Sequence, residues 1–300
     1  MPPGRAGVSA SLTTGHGKLS SIMSSAEPLV RPAHAKDRAE IERIAAANGQ
    51  PPEDSARDSR YLTHLTRHGN VLVAEANGKL TGFAATRALG YVTLLCDLFV
   101  DPARHGGGIG RRLLDRAFEE STDRVTFSSQ DPRALPLYAR YGLAPRWPLL
   151  YLAGSPARLK QGPAARSQTV RARRSVPQNA AEAERLLTRR DRAPDYLYWT
   201  AAAGGSGLVI DEHEHVIAAG AIAEAKVRHL VVGDSADPVA ALFAAFSMLG
   251  AATVRLCLPG PHPALGALLH AGFLIEDFDH YMSTSDGLVR SSDVPSPALA

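Results

Sequence analysis

The sequence predicts an α/β protein of two similar units, each a mixed, mostly antiparallel sheet flanked by helices. Three observations carry this expectation. Strand-like and helix-like runs alternate along the chain, as layered α/β folds require. A hairpin pattern at 71–88, "VLVAEANGKLTGFAATRA", returns at 207–225 as "GLVIDEHEHVIAAGAIAEA". Each copy is followed by strand, helix, strand, helix and strand, so one supersecondary plan occurs twice. The 300 residues also exceed what a single core usually serves.

The elements follow in order. "LVR" at 29–31 begins a strand, and "AKDRAEIERIAAANG" has apolar residues at helical spacing up to an Asn48-Gly49 stop. "RYLTHLTRHG" is a second short helix. Asn77-Gly78 joins two strands in a tight hairpin. "YVTLLCDLFVD" is a strand, "IGRRLLDRAFEES" a helix, "RVTFSSQ" a strand, "DPRALPLYARYG" a helix closed by Gly142, and "WPLLYLAG" a strand. In the second unit "NAAEAERLLTRRDR" is helical. After the hairpin come "VRHLVVGD" (strand), "PVAALFAAFSMLG" (helix), "TVRLCLP" (strand), "PALGALLHAGF" (helix) and "FDHYMST" (strand). The expected division is a disordered leader over 1–28, a first domain over 29–154, and a Pro-, Gly- and Arg-bearing linker over 155–169. A second domain over 170–288 and a loose tail over 289–300 complete it. Met23 is a candidate initiator within the leader.

Composition narrows the function classes. Apolar residues make up 45% and charged residues 21%, and the net charge is only +3, so nothing points to a nucleic-acid partner. No apolar run is long enough to span a membrane, and a cytoplasmic location is expected. Cys96 and Cys257, one in each half and both in apolar strands, read as buried thiols, not a disulfide framework. "DEHEHV" at 211–216 sits on a hairpin turn without a distant Cys/His cluster, so no metal site is expected. The basic runs "RARRS" and "RRDR" read as solvated linker and helix ends.

The stretch that demands a chemical reason is "LFVDPARHGGGIGRRLL" at 98–114. It places His105-Gly106-Gly107-Gly108-Ile109-Gly110 between a strand and a helix. A helix start offers unpaired N–H groups and positive dipole, and glycines let an anion come close to them. The turn therefore reads as a phosphate cradle. No Gly-Lys-Ser/Thr follows, which excludes a P-loop, and the hairpin-rich setting argues against a Rossmann turn. The second copy has "VVGDSADPVAALF" at this point and has lost the glycines.

Two motifs together resemble the GNAT superfamily of acyl-CoA-dependent N-acyltransferases. "DLFVDPARHGGGIGRRLL" is similar to its strand–Pro–glycine-loop–helix signature. "DPRALPLYARYGL" is similar to its later helix, with a Tyr four residues before a Gly. The resemblance covers about 29–153. Over about 170–285 it rests on "LLHAGF" and "HYMST", giving a tandem GNAT protein with a degenerate second copy. It implies that amides of the loop His105 to Arg111 bind the pyrophosphate of acetyl-CoA. It implies that Leu98, Phe99 and Val100 lie on a strand splayed from its neighbour and pair with the pantetheine arm. The Val100 amide would polarise the thioester carbonyl, and Tyr138 would protonate the leaving thiolate. The resemblance also implies that transfer to an amine is direct, through a tetrahedral intermediate. His105 stands where the family usually has Arg or Gln, which removes a positive side chain. Leu143 replaces the usual Phe.

Simple alternation along "TLLCDLFVD" puts Leu95, Asp97 and Phe99 on one face and Cys96, Leu98 and Val100 on the other. Asp97, a charge within an apolar strand, is either the group that holds or deprotonates the amine or a structural carboxylate. Glu75 and the segment 50–68 are further sources of acceptor contacts. The sequence thus reads as an acetyl-CoA-dependent N-acetyltransferase acting on a primary amine of a small metabolite, antibiotic or protein. A non-catalytic acyl-CoA-binding regulator is the alternative. The acceptor and the oligomeric state are left open.

Overall fold

The structure, a computed structural model, describes residues 27–49, 59–161 and 169–299. The expected leader up to residue 26, the first part of the 50–68 segment and the centre of the linker lie outside them.

The first half starts with β1 (Leu29–Pro32), α1 (Arg38–Ala47) and α2 (Ser59–His68). Ile41, Ile44 and Ala45 bury one stripe of α1, and Tyr61, Leu62 and Leu65 bury one stripe of α2. Strands β2 (Asn70–Ala76) and β3 (Lys79–Leu89) form the expected hairpin. Asn77 and Gly78 both have positive φ, 53° and 71°, as a turn matching strand twist requires. Next come β4 (Val92–Val100), α3 (Ile109–Ala117), β5 (Asp123–Ser128), α4 (Ala134–Ala139) and β6 (Ala144–Gly154).

The second half contains β7 (Val170–Ser175), α5 (Pro177–Thr188), α6 (Ala193–Thr200), β8 (Ser206–Glu212) and β9 (His215–Ala223). It continues with β10 (Lys226–Val232), α7 (Pro238–Ser247), β11 (Val254–Pro259), α8 (Leu265–His270) and β12 (Leu274–Ser283). The run "RARRS" is the edge strand β7, where Arg171, Arg173 and Arg174 are all exposed, not linker. "DEHEHV" forms the β8–β9 turn, and no metal-binding group of His, Cys, Asp and Glu occurs among the described residues. No described helix is long and apolar enough to cross a membrane.

The two units do not keep separate sheets. All twelve strands form one sheet in the order β1-β2-β3-β4-β5-β12-β6-β11-β10-β9-β8-β7. Each copy has given its last strand to the other: β12 pairs with β5, and β6 pairs with β11. The two exchanged strands pair antiparallel at the centre. The repeat was legible in the sequence. The exchange was not, because either partner satisfies the same apolar strand.

The halves are further joined by buried charge. His64 of α2 and Arg87 of β3 both reach Asp195 of α6, at 2.7 and 3.1 Å, and Arg192 reaches its other oxygen at 2.6 Å. Despite burial, these partners, Arg192 foremost, hold the Asp195 carboxyl well below the usual range. The final residues are also packed. Val294 and Leu299 are fully buried, where the sequence suggested a loose tail.

Candidate functional site

The site is a fork in the sheet. β4 and β5 run parallel and pair only from Val92↔Asp123 to Leu95↔Thr126. The Thr126 hydroxyl closes the last rung by donating to Leu95 O at 3.0 Å. Beyond it the strands part. β5 is held on its outer side by β12, so the gap persists between β4 and a strand pair completed by the second half.

At the fork β4 carries a bulge. Ala85 pairs with Asp97, but Thr86 pairs with Leu95, leaving Cys96 extra. A bulge interrupts the two-residue alternation. Leu95 therefore packs with Leu98 and Val100 on the α3 side, while Cys96 and Phe99 pack on the α1–α2–α6 side. This corrects the simple alternation, which put Leu95 with Phe99 and Cys96 with Leu98. Past the bulge, Asp101 N–H donates to Thr81 O at 2.9 Å and Phe99 O lies against Gly82, both toward β3. The N–H and C=O groups of Leu98 and Val100 consequently face the gap.

The glycine turn follows directly. Gly106 and Gly108 have φ of +81° and +74°, a left-handed backbone that side chains disfavour, and a Cβ at either would meet open space. Gly108 precedes α3, so the amides of Ile109, Gly110 and Arg111 form its first, acceptorless turn. Arg104, Arg111 and Arg133 line the same end of the cleft. The fork, the turn, Asp97 and Tyr138 share one cleft of about 1850 Å³.

His105 does more than replace a cation. Its Nε2 lies 3.0 Å from Val100 O, and its Nδ1 meets the Arg133 guanidinium. Arginine can only donate, so Nδ1 accepts and the Nε2 proton points to Val100 O. The imidazole thus ties the turn to the splayed strand, and Arg133, itself paired with Asp131 at 2.5 Å, brings a guanidinium to the place the sequence had left without one. Asn48 Nδ2 also donates to Val100 O, at 3.0 Å. The Val100 carbonyl is therefore occupied, and Leu98 and the Val100 amide remain facing the gap. Neither Asn48 nor Arg133 stood out in the sequence, since one looked like a helix stop and the other like a surface charge. Asp131, bonded by Arg133, has its carboxyl lowered to about 2.

Tyr138, on α4, is 7% exposed and sits on the α3 side beside Leu95. Burial, and then the nearby Asp97 charge, push its hydroxyl well above the usual tyrosine range. Asp97 is 2% exposed. Burial, with Asp97 next, also raises the Cys96 thiol; Cys96 and Cys257 are nevertheless only partly buried and both line the cleft, where the sequence suggested buried thiols. Glu75 is bound to Arg31 at 2.8 Å, and the cleft does not include it. The far wall comes from Asp277 and Asp279 of β12, with Tyr151 of β6 donating to Asp279 at 2.6 Å, and from Tyr198 and Trp199 of α6. α6 was not expected from the sequence.

The second copy lacks this equipment. Its helix α7 opens with Pro238, which has no N–H, and the Asp237 carboxylate accepts from Val239 N–H at 2.8 Å. A carboxylate already holds the place an anion would take.

Residues 67–142, which contain the fork, the turn and Tyr138, match the Acetyltransferase (GNAT) domain family. No curated protein matches the chain significantly. Among solved structures, one from Pyrococcus horikoshii, provisionally described as an acetyltransferase, superposes with a TM-score of 0.67 at 16% identity, covering 95% of this chain and 99% of its own. A GCN5-related N-acetyltransferase from Anabaena variabilis gives 0.59 at 12% identity, over 85% and 72%. A tandem GNAT protein from the clavulanic acid biosynthesis pathway gives 0.56 at 15% identity, over 88% and 100%. At these identities the likenesses speak for the fold. Residues 67–142 thus match the GNAT acetyltransferase domain, and the chain as a whole has a fold similar to that of a tandem GNAT protein.

Proposed function

We propose that the protein is an acetyl-CoA-dependent N-acetyltransferase that transfers acetyl directly to a primary amine of a small molecule or protein. The reaction belongs to residues 29–154, and residues 170–288 shape the acceptor side. The observation that carries this reading is the left-handed glycine turn at the start of α3, opening onto the backbone of a forked strand.

Acetyl-CoA fits this arrangement as a substrate. The turn offers converging amides and arginines to a diphosphate. Leu98 offers main-chain groups to an extended amide-bearing arm. The Val100 N–H then lies where it can donate to the thioester oxygen as negative charge grows there. Asp97 holds the incoming ammonium and takes its proton through water. Tyr138, kept protonated by burial and by neighbouring carboxylates, gives its proton to the departing thiolate.

The test is calorimetric titration with acetyl-CoA, followed by thiol release with a panel of primary amines. Binding with turnover supports the transferase. Binding without thiol release from any amine favours a regulator, and no binding removes both readings.

A further inference from the structure

The second copy has its own fork, and the chain fills it. β10 and β11 pair in parallel only at Lys226↔Arg255. Gly82 and Ala218 stand at the same distance past their hairpin turns, and they pair with Val100 and Val232. Leu230 and Val232 are therefore the counterparts of Leu98 and Val100. The C-terminal segment occupies them. Val294 exchanges two main-chain hydrogen bonds with Leu230, at 2.9 and 2.8 Å. The Asp293 carboxylate accepts from the Val232 amide at 3.0 Å. Arg290 donates to Val232 O at 2.6 Å and to Asp293 at 2.9 Å. His262 meets Ser292 O at 3.1 Å. A main-chain pair, an oxygen on the amide and a capped carbonyl are the contacts the first fork offers to a pantetheine arm and a thioester.

From this anchor the chain continues into the first cleft, where Ser296, Pro297 and Ala298 form part of the lining. Ala298 packs in the cluster that contains Cys96 and Phe99, on the sheet face opposite α3. The glycine turn opens α3, which packs on the other face. In a direct transfer the amine must approach the thioester from the side that the cofactor leaves open. We propose that the C-terminal segment is a strap, seated in the inactive fork as an internal stand-in for a pantetheine arm, which holds residues 296–298 as the acceptor-side wall of the active cleft. The second copy thereby sets acceptor access without binding coenzyme. This rests on the transferase reading above.

The test compares the full chain with a Pro297→Trp variant and with a chain ending at Val294, which keeps the anchor and loses the wall. Calorimetry with CoA should give about one equivalent per chain in all three, since only one fork is free and cradled. Hydrogen exchange should show the Leu230 and Val232 amides protected with and without CoA. Propylamine and spermidine are then compared in binding to the CoA complex and in turnover. The shortened chain and Pro297→Trp should shift amine affinity or KM by about fivefold or more, with the acetyl-CoA KM unchanged. A second CoA equivalent in the full chain, or loss of protection on adding CoA, overturns the seated strap. Amine affinities and KM values that are alike in all three chains, or amine binding absent from all, overturn the wall. Amines that bind with altered affinity but are never acetylated count against the transferase reading alone.

Discussion

The most exacting residues are those whose backbone or proton must be in one place. At Gly108 any side chain adopts the left-handed region at a cost of ~1–2 kcal/mol and projects into open space beside the turn proposed to hold the diphosphate. Gly108→Glu is expected to abolish acetyl-CoA binding by calorimetry, while far-ultraviolet circular dichroism stays that of the parent. Tyr138→Phe removes only the hydroxyl. Its kcat should fall by roughly 10²-fold or more while the acetyl-CoA Kd stays within about twofold, as for loss of a general acid. An unchanged kcat would leave the thiolate to be protonated by another group. These positions were readable because glycine runs and a Tyr–Gly spacing are unusual in any sequence. Asp97 was readable as an anomaly, a charge in an apolar strand. Arg133 and Asn48 were not, since arginine on a surface and asparagine at a helix end are the ordinary case. Their value comes only from contact with His105 and Val100.

At the scale of elements, hairpins, helices and the glycine turn were legible from periodicity and turn residues. Two things escaped. The Cys96 bulge has no sequence mark, because an extra apolar residue inside an apolar strand leaves the pattern looking regular. The C-terminal strap reads as Ser-, Pro- and Ala-rich coil, and its main-chain bonds to β10 use groups every residue possesses. The strap also carries a pH dependence. His262, which holds Ser292, is buried, and burial lowers its pKa to about 4. The unfolded chain takes up this proton below about 6.5, the folded chain only near 4, so stability falls as pH drops between those values. The full effect is on the order of 3 kcal/mol. Urea denaturation at pH 7.5 and pH 5 should show about 2 kcal/mol of this loss in the parent, and His262→Gln should show a smaller one. Equal losses in both proteins would place the pH sensitivity elsewhere.

For the molecule as a whole, the two halves are coupled by the exchanged strands and by the Asp195 cluster. Asp195→Ala strands Arg192, Arg87 and His64 in a buried site, and breaking such a network costs about 3–5 kcal/mol. Thermal unfolding should move down accordingly. With the cross-half tie gone, calorimetry should resolve a broadened or double transition where the parent shows one. A parent-like single transition at unchanged temperature would mean that the strand exchange alone joins the halves. The sequence disclosed the duplication but not this joining, since strand partners are chosen by the whole assembly.

Merging both sheets leaves, among the described residues, a long ribbon whose outer strands, one at each end, are β1 and β7. At one, β1 is four residues long and finishes on Pro32, which has no N–H to offer a newcomer. At the other, β7 turns Arg171, Arg173 and Arg174 outward. A second copy of that border would bring like charges together at Arg171, while Arg173 is paired with Asp211 at 3.0 Å and Arg174 donates to Met248 O at 2.9 Å. A sheet this wide would otherwise be a ready seed for filament growth, and its margins are built to stay lonely.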